Sequence, residues 1–185
     1  PVLFGAERLN GQRPLPLAPV VEGEKAAAAL HSLDLLAVSA QGGAGKAGSG
    51  AWDGLLGAPS VVFCPDNDLP GIKYCQDAAA ALAACATLDS PLPELRLLRL
   101  PGLPEKGDVC DWLAERLPDW NEIDPVPSDR RDGLRAELLA LVEQAEPVPA
   151  DWLKPPEPKP ERAERGGPLG NRYIEAADGG GITWV

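Results

Sequence analysis

Short acidic motifs occur at three places in this sequence where an apolar run gives way to a loop. Glu22 ends the run in VVEGEK, Asp66 and Asp68 lie in PDNDLPG, and Asp108 and Asp111 lie in EKGDVCDW. Crowded carboxylates repel one another and raise one another's pKa, and a hard divalent cation removes that penalty. A cation held in this way can neutralise charge on a transferring phosphoryl group. The motifs therefore predict metal-dependent phosphoryl transfer.

Each motif also has a structural interpretation. Asp-Asn-Asp followed by Leu-Pro-Gly is typical of a solvated turn or of a helix N-cap. Glu22 could be a first-turn charge that the helix dipole favours. The functional interpretation requires that the fold brings the acids together. The positions of the strands and helices that contain the acids therefore decide between the structural and the functional interpretation.

Hydrophobic periodicity predicts an α/β fold. We expect strands at 18–21, 35–39, 60–64 and 95–100, alternating with helices at 24–33, 72–88 and 109–117. This alternation predicts a Rossmann-like, doubly wound arrangement of about four mostly parallel strands with helices on both faces. In such a sheet the loops after the strands meet at one edge, so Glu22, Asp66, Asp68 and Asp108 are expected to lie near one another there.

The composition divides the chain into five parts. We expect a lead-in at 1–18, a catalytic, metal-binding domain at 19–118 and a helical extension at 119–146, followed by a linker at 147–170 and the truncated start of a further domain at 171–185. Seven prolines between Pro147 and Pro168 predict the linker. The absence of Met predicts that the chain is a piece of a longer polypeptide.

The charge balance restricts the partners. Lys+Arg 17 against Asp+Glu 28 gives a net charge of −11, so the overall field repels phosphate backbones and nucleic-acid contact must be local. Four dispersed cysteines and one histidine, His31, do not have zinc-ligand spacing. No apolar run approaches the ~20 residues that cross a bilayer, which favours a soluble, intracellular protein without a membrane partner.

The glycine-rich segment QGGAGK suggests a phosphate-binding P-loop, but it does not satisfy that motif. Ala40 stands where the first glycine is required and Ala47 where a hydroxyl is required. A glycine loop with one lysine still offers backbone N–H groups and a positive charge. Gly43 and Lys46 therefore remain candidates for contact with a nucleotide or a template.

At about residues 19–117 the sequence resembles the Toprim family, which bacterial-type primases, type IA and type II topoisomerases, OLD-type nucleases and RecR-type recombination proteins share. VVEGEK resembles the family's glutamate motif and PDNDLPG its D-x-D motif, in the family's order and spacing. Together with LPGLPEKGDVCDWL, these motifs are most similar to the Toprim domains of phage and plasmid primase-helicases.

The resemblance implies roles for individual residues. Glu22 would be the general acid/base or a metal-organising carboxylate, Asp66 and Asp68 would bind Mg²⁺ or Mn²⁺, and Asp108 and Asp111 would complete the cluster. Lys25 and Lys73 would contact phosphates, unless they are solvated helix charges.

The resemblance also implies a function and partners. They are synthesis of RNA primers from NTPs on single-stranded DNA during replication, beside a fused or associated helicase ATPase, in the cytoplasm of a bacterial cell or phage-infected host. A metal-dependent nuclease and a non-catalytic binding module remain alternatives.

Overall fold

The computed structural model describes residues 2–9, 17–42 and 45–154. Within them the chain forms, in order, β1 (Leu3–Phe4), α1 (Ala6–Leu9), β2 (Ala18–Val21), α2 (Glu24–His31), β3 (Ser39–Ala40), β4 (Ser60–Cys64), α3 (Leu69–Cys85), β5 (Glu94–Leu97), α4 (Val109–Arg116), α5 (Ser128–Glu143) and β6 (Glu146–Pro147). Gly43, the predicted linker beyond residue 154 and the predicted further domain at 171–185 lie outside the described residues.

A mostly parallel sheet is the centre of the described chain. Its strand order is β2-β4-β5-β6, in which β2, β4 and β5 run parallel and β6 runs antiparallel to β5. Val38 forms a parallel bridge with Val20 of β2, in addition to the pairing of β2 with β4. The predicted α/β fold with about four mostly parallel strands is thereby confirmed.

Side chains of the central strands alternate between two hydrophobic cores, one on each face of the sheet. Val61 and Phe63 point into a core that includes α3, whereas Val62 and Cys64 point into a core that includes α2, α4 and α5. The predicted placement of helices on both faces is therefore confirmed. Burial of a Val or Phe side chain contributes about 1.5–3 kcal/mol, so this double-sided packing rigidly supports the strand ends.

The predicted second strand at 35–39 is wrong in most of its length. The strand that forms, β3, covers only Ser39–Ala40 and pairs antiparallel with β1. Leu35 and Ala37 are buried in the second core, where they pack beside α2 without joining the sheet. The apolar character of Leu35 and Ala37 therefore reflects packing under a helix, whereas Val38 bridges to Val20 of β2. Periodicity alone does not distinguish packing under a helix from a buried strand.

The predicted start of the linker at Pro147 is also wrong. Residues 146–147 form β6, which pairs with Arg96 and Leu97 of β5, and the N–H of Val148 donates to the carbonyl of Leu95 (3.0 Å). Val148 and Trp152 are buried in the first core. The apolar side chains between the prolines pack here, which outweighs the extended preference of the proline-rich composition.

Candidate active site

The acidic motifs follow the carboxyl ends of neighbouring strands. Glu22 comes directly after β2, Asp66 comes two residues after β4, and Asp68 follows in the same turn. The 98–107 loop leads from β5 to Asp108. Because β2, β4 and β5 are parallel neighbours in the sheet, these segments meet at one edge, hereafter the acidic edge.

Asp66 lies at the centre of the acidic edge. Burial, followed by the negative charges of Glu22, Asp108, Asp68 and Asp111 in that order, raises the pKa of Asp66 to about 7. Charge interactions weaken with distance, so this effect identifies all four carboxylates as neighbours of Asp66. The structure thus places the other four acidic residues that the sequence singled out within range to act on Asp66 through their charge.

The D-x-D turn also forms the N-terminus of α3. Asp68 is the N-cap of this helix, and its Oδ1 accepts a hydrogen bond from the N–H of Gly71 (2.7 Å). A Cβ atom at Gly71 would lie 2.8 Å from Cβ, N and O of Asp66, so the missing side chain lets Asp66 rest against the first turn of α3. The cap interpretation of Asp68 is correct, and it places Asp68 beside Asp66.

Asp108 and Asp111 form a capping box at the start of α4. Oδ1 of Asp108 accepts from the N–H groups of Cys110 (2.6 Å) and Asp111 (3.2 Å), and Oδ2 of Asp111 accepts from the N–H of Asp108 (2.8 Å). These bonds orient both carboxylates at a helix N-terminus, where negative charge is favourable. The caps of α3 and α4 therefore hold acids in place at the same edge.

A buried hydrogen-bond network supports the turn that contains Glu22. The N–H of Gly23 donates to Oγ of Ser39 (2.9 Å), and the hydroxyl of Tyr74 accepts from the N–H of Ala40 (2.7 Å). Gly23 has φ 104°, a conformation that glycine adopts without strain. Sequence reasoning did not find the roles of Ser39 and Tyr74, because both contacts join segments that are distant in the chain.

The candidate phosphate-binding lysines lie at the surface. Lys73 pairs with Asp77 one turn along α3, and Lys25 pairs with Glu122. The hydrogen bond with Glu122 is the largest cause that raises the pKa of Lys25, and the charge of Asp108 adds to it, so Lys25 lies near the acidic edge. Lys46 is exposed before the 3₁₀ turn Ala47–Ser49. Exposed ion pairs exchange readily, so the predicted phosphate contacts remain predictions.

The donor chemistry of the acidic edge fits a hard divalent cation. Within the described residues no set of three or more His, Cys, Asp or Glu side chains forms a ready-made metal cage. Mg²⁺ does not require one, since it is commonly held by one or two carboxylates together with waters and substrate phosphates. Asp66 and Asp68, with Glu22 nearby, supply such oxygens, and burial together with the charges of the neighbouring carboxylates raises the pKa of Asp66.

Comparisons with known proteins identify primases among the similar structures. No family model and no curated protein matches the chain. A DnaG primase catalytic domain solved with single-stranded DNA is 22% identical at a TM-score of 0.47, covering 78% of this chain and 40% of that one. The Escherichia coli primase catalytic core is 21% identical at a TM-score of 0.46, covering 78% and 39%.

A third similar structure contains the primase domains of bacteriophage T7 with an RNA/DNA hybrid and dTTP. It is 18% identical at a TM-score of 0.44 and covers 72% of this chain and 56% of that one. The chain therefore spans about two fifths of the DnaG structures and somewhat over half of the T7 domain.

None of the helices in the described ranges is both long enough and apolar enough to cross a membrane.

Proposed function

We propose that this chain is the Toprim-type catalytic domain of a DNA primase, which joins ribonucleotides on single-stranded DNA with Mg²⁺ or Mn²⁺. One observation carries the proposal: burial, and after it the charges of four carboxylates from three segments of the chain, raises the pKa of Asp66 to about 7. A site that only capped two helices would not need Glu22 beside it. Perturbed carboxylates at the carboxyl edge of a parallel sheet are typical of a catalytic site.

Each residue of the acidic edge has its own proposed role in the reaction. Asp66 and Asp68 would hold the cation, which would neutralise charge on the transferring phosphoryl group. Glu22 stands at the end of the neighbouring strand, where it would accept the proton of the attacking hydroxyl or orient the cation. The capped Asp108 would complete the negative field, and its bonds to the first turn of α4 keep it from moving.

We propose that a few basic residues contact phosphates locally, near the acidic edge. A chain with a net charge of −11 does not collect a DNA template by its overall field. Lys25 beside the acidic edge, together with Lys46 and Lys73, would contact phosphates of the NTP or template. We propose that basic template-binding and helicase regions of the same or an associated protein complete the machinery, in the cytoplasm.

The test is ribonucleotide incorporation on single-stranded DNA by the longest natural polypeptide that carries this chain. We expect Mg²⁺- or Mn²⁺-dependent oligoribonucleotides, and we expect Asp66→Asn and Asp68→Asn each to reduce synthesis at least about 100-fold without unfolding the chain. Asp89→Asn is the control, because Asp89 is exposed in the loop that follows the opposite end of α3.

Two outcomes would contradict the proposal. Metal-dependent cleavage of plasmid DNA without NTP incorporation would identify a nuclease. Normal metal binding without any turnover would identify a non-catalytic binding module.

A further inference from the structure

The side chain of Asn67, the middle residue of the D-x-D turn, reaches across to the loop that leads to α4. Its Nδ2 donates to the carbonyl oxygens of Leu103 (3.0 Å) and Pro104 (2.9 Å). Both partners are acceptors, so the amide nitrogen must face them, and both of its hydrogens are used. The contact spans 36 residues of sequence to Leu103 and joins the loop after β4 to the loop after β5.

The backbone of Asn67 strengthens the same contact. Its N–H donates to the carbonyl of Gly107 (2.8 Å), and its carbonyl accepts from the N–H of Lys106 (3.1 Å). Gly107 is buried, and a Cβ atom there would lie 2.7 Å from Cδ of Pro104. Four hydrogen bonds thus join Asn67 to a tightly folded loop, which we name the Asn67 clamp.

The clamp lies between the acids that it connects. Asp66 and Asp68 are the immediate neighbours of Asn67 on one side of it, and Asp108 directly follows Gly107 on the other. A change in the clamp therefore alters the separation between the D-x-D pair and the acid that caps α4. Asn67 itself is exposed and has no carboxylate, so its part in the site is geometric.

We propose that Asn67 is a positioning residue, whose side-chain amide sets the spacing between the D-x-D pair and Asp108 so that the acidic edge binds a divalent cation. The inference rests on the proposed function, because it concerns the same acids. Partners of this indirect kind typically change metal affinity by about 10–100-fold when they are removed. The amide is suited to the task, since a carboxylate in its place would face two carbonyl oxygens and repel them.

The test is a calorimetric titration, in which Mn²⁺ is added to the 185-residue chain and the heat of binding is measured. Asn67→Ala removes both amide bonds, and we expect it to weaken Mn²⁺ binding about 10–100-fold. Thr87→Ala is the control, because Thr87 Oγ1 accepts from the N–H of Ser90 (3.0 Å) in the loop at the opposite end of α3. It removes a loop hydrogen bond without touching the clamp, and we expect wild-type affinity.

Asn67→Asp separates geometry from charge. An added carboxylate at the acidic edge attracts Mn²⁺ more strongly if charge alone matters, whereas loss of the clamp weakens binding. We expect weaker binding. This nearly isosteric variant also decides the outcome if Asn67→Ala does not fold.

Equal Mn²⁺ affinity of the wild type and Asn67→Ala, or tighter binding by Asn67→Asp, would overturn the positioning role and leave the proposed function in place. A wild-type chain that binds no Mn²⁺, either alone or with an NTP present, would overturn both.

Discussion

At the scale of single residues, the acidic edge combines structural and chemical roles in the same side chains. Asp68 and Asp108 cap α3 and α4, and these caps hold them near Asp66. An N-cap stabilises a helix by about 0.5–2 kcal/mol, which offsets part of the repulsion among the acids. Burial, and after it the negative charge of the neighbouring acids, raises the pKa of Asp66. The metal-free site therefore favours the protonated form of Asp66.

Asp66→Asn is expected to stabilise the metal-free chain at alkaline pH. The pKa of Asp66 rises from its ordinary value of 3.8 to about 7 on folding. Between these values the folded state binds the proton more readily than the unfolded state, so Asp66 lowers stability progressively as pH rises through this window. The variant should melt at a higher temperature than the wild type at about pH 8, with a difference that shrinks towards about pH 4.

Thermal unfolding of both proteins in EDTA across this pH range provides the measurement, with Asp77→Asn as the control. A variant that melts below the wild type at pH 8 would show that the charge of Asp66 does not strain the fold.

At the scale of elements, α3 is the main organiser of the site. Its N-terminus carries Asp68, and its first turn leaves space for Asp66 at Gly71. Tyr74, on the inner side of the same helix, supports β3. One helix therefore positions the D-x-D turn and also supports β3, which contacts the turn that contains Glu22.

Gly71→Ala is expected to destabilise the chain by about 1–3 kcal/mol, the usual cost of forcing an extra methyl group into a packed place. The new Cβ atom would lie 2.8 Å from backbone atoms of Asp66, which cannot move without shifting the acid. Gly133→Ala in α5 is the matched control, since a Cβ atom there meets nothing within 4 Å. This change should stabilise the helix by about 0.5–1 kcal/mol. Urea unfolding measures both, and equal effects of the two changes would contradict the close approach.

Tyr74→Phe is expected to cost about 1–3 kcal/mol of unfolding free energy. It removes the hydroxyl that accepts from the buried N–H of Ala40 and lies 3.4 Å from Oγ of Ser39. A buried donor without its acceptor keeps the full desolvation penalty. Urea unfolding gives the number, and a double-mutant cycle with Ser39→Ala shows whether the network acts as a unit. A loss below about 0.5 kcal/mol would show that the hydroxyl bond is dispensable.

At the scale of the whole molecule, the described part of this acidic chain places several carboxylates at the acidic edge. The net charge of −11 disfavours phosphate binding everywhere except where a cation reverses the sign. The sheet, with hydrophobic cores on both faces, supports the acidic edge. The late segment that includes Val148 and Trp152 returns to the first core and adds β6.

Mg²⁺ is therefore expected to raise the melting temperature of the wild-type chain. A ligand that binds only the folded state stabilises it by about 2.7 kcal/mol at one hundred times its Kd. Protons compete at Asp66, so the effect should grow as pH rises through about 7. Differential scanning calorimetry at constant ionic strength, with KCl as the comparison, separates binding from general screening. An equal shift in Asp66→Asn would show that the cation binds elsewhere.

The sequence by itself determined the strands that are continuous apolar runs and the order of the acids along the chain. Strands 18–21 and 60–64 were predicted with their observed bounds, because Val, Phe and Cys in these runs are buried on both faces. The meeting of Glu22, Asp66 and Asp108 at one edge could be predicted because parallel strands place their carboxyl ends together.

Only the tertiary structure decided which apolar segments became strands and how the acidic loops are joined. Leu35 and Ala37 are apolar because they pack under α2, and Trp152 returns to a core formed mainly by residues 3–97. The bonds of Asn67 to Leu103 and Pro104 likewise depend on two loops that meet only after the sheet has formed. Local pattern encodes burial and turn preference, whereas the partner of each buried or polar group is set by contacts between distant parts of the chain.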